Sequence, residues 1–413
     1  MIYCLFTIVF VISVYTARHY WFTLNRLFGV QRHPYIDTDT ANWPQVTILV
    51  AAHNEEKVVA NILSALMSVN YPSDRMLVVP VNDRSTDRTR EIIDSFVEQF
   101  PGRIRPFHRT GGKGGKAAAL KDAMELVETE AILIFDADYI PGSGLIKQLV
   151  APFFDPEVGG VMGRVVPLNV GTNLLTRLLD LERSGGYQVD QQARMNLHLV
   201  PQHGGTVAGV RLSALREIGG WNENSLTEDT DLTYRLLLNG WQTVYQNRSE
   251  CYEEVPENWP VRIRQIMRWA KGHNQALAAY GLYLLFGKHR ATFRERIDGT
   301  LLLGVYAMAP VTLVGWLLAL GVFYEGIVPL HGIIALFAFT AYAAVGNFAA
   351  FFEIAAAVRL DYTRRRICLL PFLVLGFAVS IFSVSRAFVS QVLAPITGAQ
   401  FHWDKTERFR TTP

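Results

Sequence analysis

Four stretches of the 413-residue chain contain no Asp, Glu, Lys or Arg, and they limit the possible folds more than any other feature. They cover residues 1–17, 300–324, 326–352 and 367–385. A helix needs about 20 apolar residues to cross the hydrocarbon core of a bilayer, so the last three stretches are long enough. The first is shorter, but Tyr20, Trp21 and Phe22 extend it with the aromatic residues typical of a membrane interface. The sequence therefore predicts a membrane protein.

A cleaved signal peptide is the alternative interpretation of the first stretch. No basic residue precedes its apolar run, and no small-residue cleavage site clearly ends it. A permanent anchor is therefore the favoured interpretation.

The positions of the arginines predict how the spans are oriented. Arg18, Arg26 and Arg32 follow the first stretch, so the positive-inside rule places its far end in the cytoplasm. The loop at Glu325 lacks basic residues, as expected outside, and the arginine-rich segment 359–366 returns inside. The last part is ambiguous: residues 367–396 either cross once, leaving a basic tail outside, or enter and return as a hairpin. We expect a multi-pass protein of the inner (cell) membrane with its polar domain in the cytoplasm.

Charge balance and cysteine count exclude other classes of protein. Lys and Arg total 39 and Asp and Glu total 37, so the net charge of +2 lacks the basic excess of a nucleic-acid-binding protein. Charged residues form 18% of the chain, below the roughly 25% of soluble proteins. The three cysteines are too far apart to predict a disulfide framework or a metal cluster. We expect no nucleic-acid partner.

The apolar stretches divide the chain into predicted regions. Residues 1–28 are predicted to form an N-terminal transmembrane helix, followed by a linker at 29–43. Residues 44–290 are long enough for a soluble domain that ends in amphipathic interfacial helices. Residues 298–396 are predicted to hold about three transmembrane helices, and 397–413 a tail.

The soluble region shows alternating strand and helix patterns. Runs rich in β-branched residues lie at 45–52, 76–81 and 131–135, and helical patterns lie at 55–68, 87–100 and 116–128. This alternation predicts an α/β domain with a mainly parallel sheet and helices on both faces. In such sheets, ligands bind beyond the carboxyl ends of the strands.

Polar residues follow each predicted strand and should meet at this edge. Asn54 and Glu55 follow the first strand, Asp83 follows the second, and Asp136 and Asp138 follow the third. Capping of the next helix is the alternative role for such residues. Capping explains one acidic residue in a loop but not two that flank a single alanine.

Asp136 and Asp138 form the most informative pair. In an extended segment, residues i and i+2 point to the same side, so both carboxylates would face one point. Two neighbouring negative charges are unfavourable unless a cation lies between them. Mg²⁺ and Mn²⁺ bind carboxylate and phosphate oxygens together, so the pair predicts a site for a metal ion and a diphosphate.

A glycine-rich segment at residues 111–116 provides a second phosphate-binding candidate. It departs from the Walker pattern because Thr110 occupies the first glycine position and Ala117 follows Lys116. An ATPase is therefore disfavoured. The backbone amides and the Lys116 ammonium could still bind a diphosphate, and a flexible solvated turn is the alternative.

Two further motifs lie between residues 227 and 272. Glu228 and Asp229 begin a helical pattern, where acidic residues favour the helix dipole but could also act as a general base. Gln265, Arg268 and Trp269 share one face of an amphipathic helix at 261–272. Arg and Gln can bind phosphate oxygens and Trp can contact a sugar, whereas a helix lying on lipid headgroups is the alternative.

Taken in order, these motifs resemble those of the membrane-integrated family 2 glycosyltransferases with a GT-A fold. That group includes cellulose, hyaluronan, chitin-oligosaccharide and poly-N-acetylglucosamine synthases. The resemblance covers roughly residues 44–275 and rests on these positions: Asn54, Glu55, Asp83, Lys116, Asp136, Asp138, Glu228, Asp229, Gln265, Arg268 and Trp269.

The resemblance implies a role for each position. Asp229 would be the general base, and Asp136 and Asp138 would hold Mg²⁺ or Mn²⁺, with Asp138 as the direct ligand. The donor would be bound by Ala52, Asn54, Glu55, Asp83, Lys116 and Asp136. The acceptor and the leaving diphosphate would be bound by Glu228, Gln265, Arg268 and Trp269.

The resemblance also implies the reaction. It would be an inverting, metal-dependent transfer of a hexosyl or N-acetylhexosaminyl group from a nucleotide sugar, with UDP-glucose and UDP-N-acetylglucosamine as the leading donors. The favoured product is a β-linked polysaccharide made processively, and a partner subunit for membrane passage or export is possible. Non-processive transfer to a lipid acceptor is the alternative. A transporter with a regulatory domain is a third hypothesis. Charges within the membrane would support it, and the sequence offers few of them, Glu353 and Arg386.

Overall fold

The computed structural model of the protein describes residues 2–33, 41–326 and 348–397. The α-helices are α1 (Ile2–Phe28), α2 (Val59–Met67), α3 (Thr89–Gln99), α4 (Lys116–Met124), α5 (Leu145–Val150), α6 (Leu174–Ser184), α7 (Gln192–Asn196), α8 (Leu212–Glu217), α9 (Glu228–Leu238), α10 (Trp259–Phe286), α11 (Phe293–Leu303), α12 (Met308–Tyr324), α13 (Ala349–Leu360) and α14 (Leu373–Thr397). A π-helix (Gly185–Gln191) joins α6 to α7. Short 3₁₀ helices cover Ser73–Arg75, Ala151–Phe154, Gly304–Ala307 and Arg364–Phe372.

One mixed sheet organises the domain between the apolar helices. Its strands are β1 (Val46–Ala52), β2 (Met76–Asp83), β3 (Phe107–Arg109), β4 (Ala131–Asp136), β5 (Ile140–Pro141), β6 (Val158–Pro167), β7 (Ala208–Arg211) and β8 (Gln242–Glu253). They are arranged in the order β3-β2-β1-β4-β7-β6-β8-β5. The strands from β3 to β4 are parallel, as is the β6–β8 pair, whereas β7 runs antiparallel to both of its neighbours.

The central strands form because they are apolar on both faces. Ile48 and Val50 of β1 pack into one hydrophobic core together with helix α2, while Leu49 packs into the opposite core with α4. A strand that is buried on both sides appears in sequence as an unbroken apolar run, which is why β1 and β4 were recognisable. The prediction of an α/β fold with a largely parallel sheet and flanking apolar helices is confirmed.

Several element boundaries differ from the predictions. The helix predicted from residue 55 begins only at Val59, and the helix predicted to end at residue 128 ends at Met124. Strand β2 extends to Asp83, so this residue lies in the sheet instead of in a following loop. The interfacial helices predicted near the end of the domain form one continuous helix, α10.

Within the described residues, three helical segments are long and apolar enough to cross a membrane: Ile2–Phe28, Phe293–Tyr324 and Arg365–Ala394. The hairpin alternative for residues 367–396 is wrong, because residues 373–397 form a single helix. Most of the predicted span at 326–352 lies outside the described residues, as do residues 34–40 of the predicted linker and nearly all of the predicted tail at 397–413.

Four charged residues join the apolar helices to the sheet domain, and we refer to them as the ionic cluster: Arg18, Asp190, Arg194 and Asp298. Arg18 of α1 contacts Asp298 of α11 at 3.0 Å, and Arg194 of α7 contacts the same carboxylate at 2.5 Å. Asp190 pairs with both arginines. Arg194 is only 1% exposed, so the cluster fixes α1 and α11 on the domain through buried charges.

Replacing Arg194 with leucine is expected to destabilise the protein strongly. The change leaves the buried Asp298 carboxylate and the partly buried Asp190 carboxylate with one guanidinium, and removal of one partner of a buried ion pair costs about 3–5 kcal/mol. Thermal unfolding of the detergent-purified variant measures the loss. Arg88→Leu is the control, because Arg88 and its partner Glu91 are exposed and such pairs contribute little. Equal melting temperatures for the two variants would contradict a stabilising role of the cluster.

Candidate functional site

The carboxyl ends of β1, β2 and β4 lie side by side and form the base of the candidate site. Strand pairing places Ala52 beside Asn82 and Ala51 beside Asp136. The polar residues that follow these strands are therefore neighbours, as the parallel arrangement predicts.

The loops after β1 and β2 hold each other in place. Asn54 has a left-handed backbone with φ of 54°, and its side-chain oxygen accepts from the Thr86 backbone N–H at 2.7 Å. The Asn54 backbone N–H donates to Ser85, and that of Glu55 donates to Thr89. The idea that Asn54 caps its own following helix is wrong, since its side chain bonds the neighbouring loop.

Asp83 connects β2 to the glycine-rich segment. One carboxylate oxygen accepts from Arg109 at 2.6 Å, and the other accepts from the Gly115 backbone N–H at 3.0 Å. Arg84 also donates to this carboxylate. Although desolvation opposes ionisation, these donors hold the pKa of Asp83 below its ordinary value. Asp83 is therefore an ionised anchor for the glycine segment.

The Lys116 ammonium lies at the centre of an acidic group at the start of α4. It contacts Asp136 at 2.6 Å and Glu228 at 3.6 Å, and it donates to the Gly205 carbonyl at 2.7 Å. Burial alone would lower the pKa of Lys116, but the Asp136 and Glu228 charges outweigh burial and raise it. The lysine is thus a fixed positive charge. Asp136 remains 29% exposed, so the group is open to a ligand.

The acidic pair around Ala137 is arranged differently from the prediction. Strand β4 ends at Asp136, and Asp138 lies in a turn where the Tyr139 N–H donates to the Asp136 carbonyl at 3.2 Å. The inference that both carboxylates extend from one straight segment is therefore wrong. The turn still keeps the two acidic residues at the carboxyl end of one strand.

The donor set fits a divalent cation that is shared with a phosphate ligand. Among the residues that the structure describes, no three His, Cys, Asp or Glu side chains are grouped to enclose a metal ion by themselves. Mg²⁺ and Mn²⁺ are commonly held by one or two carboxylates with phosphate oxygens and water completing the shell. Asp136 and Asp138 can supply those carboxylates.

Glu228 and Asp229 are brought to the same place by the start of α9. Desolvation raises the pKa of Asp229 above its ordinary value, although the Thr230 backbone N–H and the charges of Lys116 and Arg268 oppose it. Desolvation also raises the pKa of Glu228 against the effect of Lys116. A carboxylate with a raised pKa is a better proton acceptor.

Helix α10 carries the remaining predicted site residues. Gln265 accepts from Arg262 at 3.0 Å. The guanidinium carbons of Arg183 and Arg262 lie 5.2 and 5.4 Å from the Trp269 ring centroid, within range of a cation–π contact. The positive charge of Arg268 acts to lower the pKa of Asp229, against the larger effect of desolvation. The predicted helix at 261–272 is confirmed within α10.

Sequence reasoning missed the segment between α7 and β7. Gly205 has φ of +72°, and a Cβ added there would lie 3.1 Å from the Asp229 side chain, so a glycine allows the close approach. The Thr206 hydroxyl accepts from the Asp136 backbone N–H. Burial, with the Lys116 charge, lowers the pKa of His203 to about 4, so this residue is neutral. The adjacent glycines at 204 and 205 were the one sequence feature that could have indicated a close backbone approach in this segment.

A model of the family described as "Glycosyltransferase like family 2" matches residues 44–272. The chain is 31% identical over 239 residues to a protein described as probable glycosyltransferase YdaM of Bacillus subtilis (strain 168), covering 57% of each. It is 34% identical over 245 residues to beta-monoglucosyldiacylglycerol synthase of Synechocystis sp. (strain ATCC 27184 / PCC 6803 / Kazusa), covering 59% of this chain and 51% of that protein. The chain thus spans about half the length of these curated relatives.

A solved structure also resembles the fold. It is a mannosyltransferase from Pyrobaculum calidifontis in complex with GDP-Man and Mn²⁺. The TM-score is 0.60 at 21% sequence identity, and the match covers 87% of this chain and 99% of that chain. At this level of identity the likeness concerns the fold.

Proposed function

The chain belongs to glycosyltransferase like family 2, whose family model matches more than half of its residues, and on this premise we propose that it transfers a sugar from a nucleotide donor to an acceptor at a membrane. The observation that carries the proposal is the Lys116 ammonium at the carboxyl end of β4, which contacts the carboxylates of Asp136 and Glu228, the latter next to Asp229 in the sequence. Family membership argues against the transporter hypothesis.

In this proposal the donor lies across the ends of β1, β2 and β4. Ala52, Asn54 and Glu55 would line the nucleoside side, with Asp83 beside them, and Lys116 would bind the diphosphate. Asp136 and Asp138 would hold Mg²⁺ or Mn²⁺, which when bound supplies positive charge to the diphosphate. The open position of Asp136 and the fixed charge of Lys116 support this placement.

Asp229 would act as the general base. It would take the proton of an acceptor hydroxyl, whose oxygen forms a bond to the anomeric carbon as the bond from that carbon to the diphosphate oxygen breaks. Attack opposite the leaving group inverts the configuration. The positive charges of Lys116 and Arg268 would stabilise the departing nucleoside diphosphate. The raised pKa of Asp229 supports the assignment, since it favours proton capture.

The acceptor would lie along α10, near Glu228, Gln265, Arg268 and Trp269. The three helices that are long and apolar enough to cross a membrane, among the described residues, support a membrane enzyme. The positions of the arginines favour a domain that faces the cytoplasm, as expected for an enzyme of the inner membrane. The resemblance of Gln265, Arg268 and Trp269 to the motif of processive family members favours processive synthesis of a β-linked polysaccharide. Similarity to a protein described as a glycolipid synthase favours the second candidate, transfer of one or a few sugars to a lipid.

A donor and product screen tests this proposal. The purified protein, in detergent with membrane lipids and Mn²⁺ or Mg²⁺, is expected to release nucleoside diphosphate from UDP-glucose or UDP-N-acetylglucosamine, with GDP-mannose as a comparison. Product length then distinguishes a polymer from a short glycolipid. Absence of both transfer and hydrolysis with every donor would refute the proposed activity.

Asp138→Asn is expected to abolish turnover. Loss of one negative charge weakens the proposed site for the cation and the diphosphate, so UDP affinity in the presence of Mn²⁺ should fall as well. Calorimetric titration with UDP and Mn²⁺ measures the affinity separately from activity. Asp74→Asn, an exposed site on the same domain, serves as the control. Full activity of the wild type in excess chelator would contradict the metal requirement.

Asp229→Asn is expected to lower the transfer rate about 100-fold or more, because the amide cannot accept the proton. UDP affinity should stay nearly intact. In the wild type, kcat should decline as acid protonates Asp229, with a midpoint above the ordinary aspartate pKa because desolvation raises that pKa. This acidic limb should vanish in the variant. A loss of UDP affinity that matches the loss of rate would instead assign Asp229 to donor binding.

A further inference from the structure

A series of buried contacts begins at the residue after Asp138. The Tyr139 hydroxyl donates to Oε2 of Glu253, the last residue of β8, at 2.8 Å. Tyr139 is 8% exposed and Glu253 is 5% exposed. The turn that carries Asp138 is therefore tied to a carboxylate 114 residues further along the chain.

The same carboxylate is also bound by Arg183 of α6. Arg183 donates from Nε to Oε1 of Glu253 at 2.5 Å and from Nη2 to Oε2 at 3.3 Å. Two guanidinium bonds fix the planes of both groups relative to each other. Because Tyr139 shares Oε2, the hydroxyl, the carboxylate and the guanidinium form one connected unit.

Arg183 then contacts Trp269 of α10. Its guanidinium carbon lies 5.2 Å from the indole centroid, and that of Arg262 lies 5.4 Å from the same ring. Arg262 in turn pairs with Glu182, the neighbour of Arg183, at 2.6 Å. Helix α6 therefore positions the indole directly through Arg183 and indirectly through Glu182, which pairs with Arg262.

We propose that Tyr139, Glu253 and Arg183 are positioning residues that couple the Asp138 turn to Trp269. This inference rests on the proposed function, in which one end of the series binds the donor and the other end contacts the acceptor. Tyr139 and Glu253 are buried, and Arg183 binds Glu253 through two hydrogen bonds, so a shift of the turn is transmitted through Arg183 to the indole. The coupling sets the distance between the anomeric carbon and the acceptor hydroxyl, to which displacement reactions are very sensitive.

Tyr139→Phe and Arg183→Lys break the series at different points. Phenylalanine removes only the hydroxyl, while lysine keeps the charge beside Glu253 and loses the planar group over the indole. Each variant is expected to lower the ratio of sugar transferred to UDP released by about tenfold, because orientation of the acceptor is lost. Calorimetric affinity for UDP with Mn²⁺ should change by no more than about twofold, since neither side chain is assigned to the donor.

The double variant provides the decisive measurement. Residues that act as one unit have non-additive effects. The ratio of sugar transferred to UDP released in the double variant, Tyr139→Phe with Arg183→Lys, should therefore be no lower than in the more impaired of the two single variants. Tyr280→Phe is the matched control, because Tyr280 donates to the Asp231 carboxylate at 2.6 Å outside the series. It should leave the ratio unchanged.

Three results would overturn the coupling: single-variant effects that multiply in the double variant, an unchanged ratio, or equal falls of transfer, UDP release and melting temperature. The last result would indicate a purely structural role. Failure of the proposed function is recognised separately, because the wild type would then release no UDP from any donor, and the coupling would be refuted with it.

Discussion

The site depends on one electrostatic requirement: acidic residues that are partly removed from bulk water must share a cation. Asp136 comes from the end of β4, and Glu228 and Asp229 come from the start of α9, so their convergence would be unfavourable without the Lys116 ammonium. That ammonium also holds the Gly205 carbonyl. The Lys116 charge thereby connects the end of β4, the starts of α4 and α9, and the loop at Gly205. These elements meet at the sheet edge where ligands bind in parallel sheets.

Much of this fold could be predicted because buried strands and amphipathic helices leave local patterns in the sequence. The unbroken apolar runs of β1 and β4 and the acidic residues after them are such patterns. Contacts between distant residues leave none. Tyr139 and Glu253 are 114 residues apart, and no spacing rule relates them. The turn at Asp138 was not predicted for a different reason: an apolar run shows where a strand ends but not whether the residues after it stay extended, and Asp138 lies in a turn.

Attachment of the apolar helices to the domain combines apolar packing, as at Phe22, with buried charges. Arg18 lies within α1 and Asp298 within α11, and both are nearly buried. Buried ion pairs contribute little net stability over apolar packing, but they are costly to disrupt and thus favour one arrangement. The ionic cluster therefore favours one position of α1 and α11 on the domain. Arg194 connects these helices to α7, which precedes the segment that contacts the site.

The π-helix at Gly185–Gln191 separates two sets of contacts on one continuous helical segment. Before it, Arg183 faces Glu253 and Trp269, whereas Asp190 near its end and Arg194 after it face the apolar helices. Each residue along a helix advances its side chain by about 100°. Loss of a single residue here would turn the second set away from its partners while the first stayed in place. Evolution can therefore exchange side chains in this segment more freely than it can change its length.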